Sequence, residues 1–168
     1  MTRIRRRSNR EADRGSSRLY TLQVFLLSGP VTEKFAEKHP VISRTIQIRG
    51  DQTLEDLHHA IFDAHGRIDD HLYEFQFGKG PFDPKGKRYV VNADVYEAGS
   101  GPKVAGDVRE TSIDCLGLEV NQAFGYWFDF GDDWFHQIDV VAIADETLRR
   151  KFPRVIERTG ESPPQYGS

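Results

Sequence analysis

Cysteine is almost missing from this chain. Cys115 is the single one among 168 residues, so it can form no internal disulfide and no cysteine pair can hold a metal. Long apolar runs are missing too: nothing approaches the ~20 residues that cross a bilayer, and the first residues lack the apolar stretch of a secretion signal. These absences predict a reducing cytoplasm and no membrane partner. Internal repeats, a phosphate-cradling glycine loop and a nucleophile elbow are also lacking, which argues against the common nucleotide-binding and hydrolytic chemistries.

Aromatic side chains, by contrast, are plentiful. Eleven Phe, six Tyr and two Trp within a 38% hydrophobic composition can build one core but scarcely two. Charge is divided unevenly. Residues 1–18 carry seven arginines against Glu11 and Asp13, a net of +5, so a total of −3 leaves −8 on residues 19–168. The basic head has no apolar period and is expected to be a disordered tail, because it buries too little surface to offset the entropy of ordering. Arg3, Arg5, Arg6 and Arg7 there offer a weak DNA contact, with a solvated extension as the plainer reading. Residues 19–168 are read as a single α+β domain.

Periodicity outlines its elements. Leu19 to Leu27 alternates as a central strand, Ser28-Gly29-Pro30 breaks it, and a polar stretch leads to a second, antiparallel strand from Ile42 to Arg49. On that strand Ile42, Ile46 and Ile48 share a face with Arg44. Thr53 and Asp56 form a capping-box start for a helix over Leu54 to His65, apolar along Leu54, Leu57, Ile61 and Ala64 and closed by Gly66. A hairpin followed by a covering helix is a β-grasp-like opening, and the expected fold is a mixed or antiparallel curved sheet. His71 to Phe77 alternates as a third strand with Tyr73, Phe75 and Phe77 on one face, Tyr89 to Tyr96 reads as a short edge strand, and residues 97–110 as a loop. Thr111 to Leu118 makes a short helical turn, Asp145 to Lys151 a helix, and Phe152 to Pro164 an extended cover.

The richest stretch is a hairpin, Phe124 to Phe130 and Trp134 to Ile143, joined by Gly131-Asp132-Asp133, where glycine tolerates positive φ and aspartate bonds its own turn. Alternation sends one set of its rings (Tyr126, Trp127, Phe128, Phe130, Trp134, Phe135) into the core and offers the other as a binding platform.

Tyr126-Trp-Phe-Asp-Phe-Gly-Asp-Asp-Trp-Phe-His-Gln-Ile138 closely resembles the hallmark of a family named after an open reading frame of the agrobacterial Ri plasmid. Leu54-Glu-Asp-Leu-His58, His71-Leu-Tyr-Glu-Phe75 and Phe152-Pro-Arg-Val-Ile156 with Gly160 and Pro163-Pro164 match its other motifs in order, from about Tyr20 to the end. The chain departs from it after the prolines, with Gln165-Tyr166-Gly167-Ser168 where the family has an acidic pair and a glycine pair. The resemblance implies an α+β fold with a curved sheet, an association with mobile elements, and no known activity. Some relatives are labelled resolvase-type passenger proteins of insertion elements. A serine recombinase needs an activated serine among arginines and a separate helix-turn-helix, and neither is read here.

Two chemistries compete for the hairpin. His71, Asp132 and His136, with Glu74, Asp129 and Asp133 nearby, are a ligand set for one divalent metal, as in a metal-dependent enzyme acting on phosphoesters or nucleic acids. The alternative is a hydrogen-bonded network linking strand to hairpin. His58 and His65 are expected to be satisfied packing residues, His59 to be solvated, and Cys115 to be a small buried one. The leading expectation is a non-catalytic binding or accessory module, with no cofactor, acting through the surface of His71, Tyr73, Asp129, Asp132, Asp133, Trp134 and His136 on an unknown macromolecule. Protein is favoured over nucleic acid, since the acidic body repels a duplex. A DNA-associated accessory protein of transposition is the further alternative.

Overall fold

The computed structural model describes residues 18–96, 104–145 and 149–166. The opening strand β1 (Arg18–Ser28) alternates with Tyr20, Leu22 and Val24 buried, and it pairs antiparallel with β2 (Ser43–Arg49). Between them the polar stretch holds a short helix α1 (Glu33–Lys38), whose Thr32 side chain accepts from the Phe35 amide. The sequence reading missed it because six residues with none buried carry no apolar stripe.

Helix α2 (Leu54–Ala64) begins with both halves of the capping box from Thr53 and Asp56. Its next free amides, Leu54 and Glu55, donate to the carbonyls of Thr111 and Val108, so the helix start is tied to a distant loop. Leu54, Leu57 and Ile61 are buried in the core, and Gly66 at φ 61 lets the chain leave the helix.

The other strands are β3 (Tyr73–Phe77), β4 (Lys87–Val90), β5 (Val104–Asp107), β6 (Ala123–Phe128), β7 (Trp134–Asp145) and β8 (Arg154–Thr159). Together they form one eight-stranded open sheet in the order β5-β4-β3-β6-β7-β1-β2-β8. The β4–β5 pair is parallel and the other neighbours are antiparallel. One face packs Tyr20, Leu22, Ile46, Phe75, Phe124, Tyr126 and Trp134 into the same core as α2.

Several expectations need correction. The edge strand read from Tyr89 to Tyr96 is β4, ending at Val90 and followed by a 3-10 turn at Ala93–Val95. The loop read over 97–110 contains β5, and its residues 97–103 lie outside the described ones. Within the helix read over Asp145 to Lys151, Asp145 closes β7, Arg149 to Lys151 are not helical, and 146–148 lie outside the description. Cys115 is exposed and takes a hydrogen bond from the Ser112 hydroxyl, since it sits on a 3-10 turn at Asp114–Leu116 rather than on an apolar face. The arginines from Arg3 to Arg14 fall outside the described residues, while Arg18 starts β1 with its guanidinium 3.9 Å from Asp145. Among the described residues no helix is long and apolar enough to cross a membrane.

Candidate functional site

The β6–β7 hairpin divides its aromatic residues between two faces. Register pairs Tyr126 with His136 and Phe128 with Trp134 on the inner face, and Trp127 with Phe135 on the outer one. The bend rests on two non-glycine residues with left-handed backbone, Asp129 at φ 61 and Asp133 at φ 58, so the strained positions are the aspartates and not Gly131. Asp129 tolerates this because its Oδ1 accepts from the amides of Gly131 and Asp132. Its own amide donates to the Leu72 carbonyl, and its Oδ2 lies 3.5 Å from His71 Nε2. The bend is therefore anchored beside residue 71, and Trp127 closes it from outside by donating to Asp133 at 2.9 Å.

On the outer face, Trp127 stacks on Phe135 at 5.4 Å and contacts Phe130 at 4.4 Å, and Phe135 meets Phe82 edge-on at 5.2 Å. All four rings are partly exposed, and none belongs to the core cluster. Phe82 comes from the 78–86 loop, which can lie on the sheet because residue 125 is glycine: a Cβ there would strike the Pro81 carbonyl and the Phe82 ring. Gln137 on β7, with Gln23 and Gln76 from the neighbouring strands β1 and β3, adds to this partly exposed face.

The inner face carries a run of buried polar groups. Asp70 Oδ1 lies 2.9 Å from His58 Nε2, and His58 Nδ1 lies 2.6 Å from the Tyr126 hydroxyl. A carboxylate only accepts, so Nε2 carries the proton toward Asp70 and Nδ1 accepts from the tyrosine. The His58 ring lies flat on Tyr73, 3.6 Å between centroids and 4° between planes. On the far side of Tyr126, Arg67 donates to His136 Nε2 at 2.7 Å, so His136 is neutral and gives its Nδ1 proton to the Tyr126 carbonyl at 3.2 Å. Arg67 also lies over the rings of Phe128 and Trp134, at 4.9 and 5.1 Å.

Burial dominates the acid–base behaviour here. Desolvation pushes His58 down to about 4, against the opposing pull of Asp70, and holds His65 and His136 well below the usual imidazole range. The same cause drives Arg67 down to about 10 and Tyr126 well up. Among the described residues Arg67 has no ion pair with a carboxylate, and its Nη1 is left without a partner.

The C-terminal residues close over this region. Arg44, the charge on an otherwise apolar face, donates to the carbonyls of Ser43, Ala64, Thr159 and Gly160 and to the Ser162 hydroxyl, tying β2, α2 and the C-terminal segment together. Ser162 also bonds His65 Nδ1. Gln165 reads the backbone of the 68–69 turn through three hydrogen bonds, and Tyr166 donates to Asp69. The residues that depart from the family pattern thus fasten the end of this chain.

Of the residues expected to form a surface, His71, Asp132 and Asp133 are exposed, Asp129 is buried in the bend, and Tyr73, Trp134 and His136 lie in the interior. His71 meets Asp129, but both ring nitrogens of His136 are taken by Arg67 and the Tyr126 carbonyl, and Glu74 pairs with Arg88 at 3.4 Å. The groups that sequence reasoning missed are Arg67, Asp70 and the Tyr126 hydroxyl. A usable signal was present for Arg44 alone, since a charge in phase with isoleucines has to find partners.

Comparisons with known proteins agree with the geometry at the level of fold. The chain resembles a crystal structure of a protein of unknown function, MM3350 from Methanosarcina mazei Go1, with a TM-score of 0.66 and 21% identity over 88% of this chain and 72% of that one. It is 27% identical over 127 residues to the uncharacterized protein y4hQ of Sinorhizobium fredii, covering 75% of this chain. The match spans 59% of that relative's length. Residues 32–166, which include the helix, the hairpin and the C-terminal fastening, match one family throughout, and the chain belongs to the plasmid pRiA4b ORF-3-like proteins.

Proposed function

We propose that this chain is a non-catalytic binding module that takes an extended segment of another protein across the outer face of its sheet. The observation that carries the reading is the continuous ring stack Phe82–Phe135–Trp127–Phe130, partly exposed and outside the core. Solvent-facing aromatic clusters of this kind mark contact surfaces. Gln23, Gln76 and Gln137 lie beside it, Gln137 donating to Asp139 at 2.8 Å, and their amide oxygens suit a peptide backbone, while the acid excess of residues 19–168 disfavours phosphate. The sheet supports the reading by supplying a platform whose inner face is held by α2 and the core. The family's plasmid reading frame favours a module that serves a mobile element.

A peptide-display selection against the intact chain, followed by nuclear magnetic resonance mapping of the winners, tests this. Perturbed amides should centre on Gln76, Trp127, Phe135 and Gln137, and Phe135→Ser should weaken binding at least tenfold with the fold intact. A selection that yields no binders, or perturbations centred on His59 and Asp70 instead, overturns the reading.

A further inference from the structure

We propose a mononuclear divalent metal site of the zinc, cobalt or nickel class formed by His58, His59 and Asp70, on the edge of the molecule away from the outer ring stack. Among the described residues these three form a group in which one ligand atom from each lies within 4.8 Å of the others. Ligands around a tetrahedral zinc stand ~3.4 Å apart, given bonds of roughly 2.0 to 2.2 Å. His58 Nε2 and Asp70 Oδ1, at 2.9 Å, have to part by about half an ångström, and His59 has to swing in by up to about 1.4 Å from a separation of at most 4.8 Å. His59 is exposed, and the Asp70 side chain is 55% exposed on the turn ahead of β3, so both are free to make that adjustment.

His58 is the fixed member. It is fully buried, stacked on Tyr73, and held through Nδ1 by the Tyr126 hydroxyl, which is the outer-sphere support that orients a ligating imidazole. When a metal takes Nε2, the ring changes tautomer: its one proton moves by way of solvent from Nε2 to Nδ1, the ring stays neutral, and Nδ1 becomes the donor toward the tyrosine oxygen. Two imidazoles and one carboxylate select borderline transition ions over calcium or magnesium.

The three donors open on a cleft of about 390 Å³ that Glu55, His71, Leu72, Tyr73 and Val91 also line. Glu55 stands three residues before His58 and four before His59, on the same side of α2. The fourth coordination position therefore faces a space where water or an anionic group can enter. This differs from the set His71, Asp132 and His136 expected from sequence, of which His71 alone lines the cleft.

Untagged, chelator-treated protein is titrated with Zn²⁺ alone by calorimetry and with Co²⁺ alone by visible absorption. One equivalent should bind, with cobalt bands of a four- or five-coordinate N/O site. Asp70→Asn and His59→Ala should each weaken binding at least tenfold while the metal-free melting curve stays put, and Asp132→Asn should change nothing. The proposal is overturned by the absence of saturable binding, by binding that survives both substitutions, or by binding that Asp132→Asn abolishes.

Discussion

The two faces of the β6–β7 hairpin carry similar residues in opposite circumstances. Inside, Tyr126, Phe128, Trp134 and His136 are buried, and the polar atoms of Tyr126 and His136 are hydrogen-bonded to other buried groups. Outside, Trp127, Phe130 and Phe135 stack on one another and are only partly buried. The first set serves stability, because every change there alters packing or leaves a buried group unpaired. The second set touches little that the fold requires, so its aromatic area calls for another explanation, and contact with a partner is the one proposed above.

The comparison can be broken by substitution, and the largest effect belongs to Trp134→Ala, which should cost about 3 to 5 kcal/mol in chemical denaturation. A loss below ~1 kcal/mol would remove Trp134 from the core. Acid comes next. His58, His65 and His136 have depressed affinity for protons when folded but take them near pH 6.5 when unfolded, so the unfolded chain binds more protons as pH falls. Stability is full above that pH and should decline by up to about 4 kcal/mol between pH 7.5 and 5.5. A flat profile of unfolding free energy across that window would show that the inner histidines are not shielded from water.

The unfolded chain retains no comparable dependence through the outer face, where none of the stacked rings titrates. Tyr126→Phe should cost about 1 to 3 kcal/mol, since His58 Nδ1 then sits in the core without its donor. Equal unfolding free energies for variant and parent would show that this bond has no net worth. The smallest effect is expected from Trp127→Ala, about 1 kcal/mol or less, read in the same denaturation assay. A cost matching that of Trp134→Ala would erase the difference between the faces.

The outline of the fold was legible because its signals are local. Alternation along Leu19 to Leu27 and the capping box at Thr53 and Asp56 need only their own neighbours to be read, and both elements are where the sequence puts them. Strand β5 was hidden because four residues next to a parallel partner carry no period of their own. Alternation also separated the hairpin rings into two sets but could not say which set faces inward. That depends on the parity of β3 and β1, which is fixed by pairing across long stretches of chain. His58 was read as a satisfied packing histidine, and it is; its partners Asp70 and Tyr126 stand 12 and 68 residues away, beyond any local rule. Trp134 and His136 look like surface chemistry in a polar, turn-rich string, and the sheet turns them inward.

The missing side chain at Gly125 has a reach wider than its own position. By admitting Pro81 and Phe82 flat against the strand, it fixes how much of the aromatic ledge is roofed and how much stays open. A methyl group there would press on the Pro81 carbonyl and the Phe82 ring, lifting the roof and widening the ledge toward Gln76 and Gln137. The width of this ledge is thus set by an atom that is not there, and on the binding reading proposed above residue 125 is where a relative with a bulkier partner should differ.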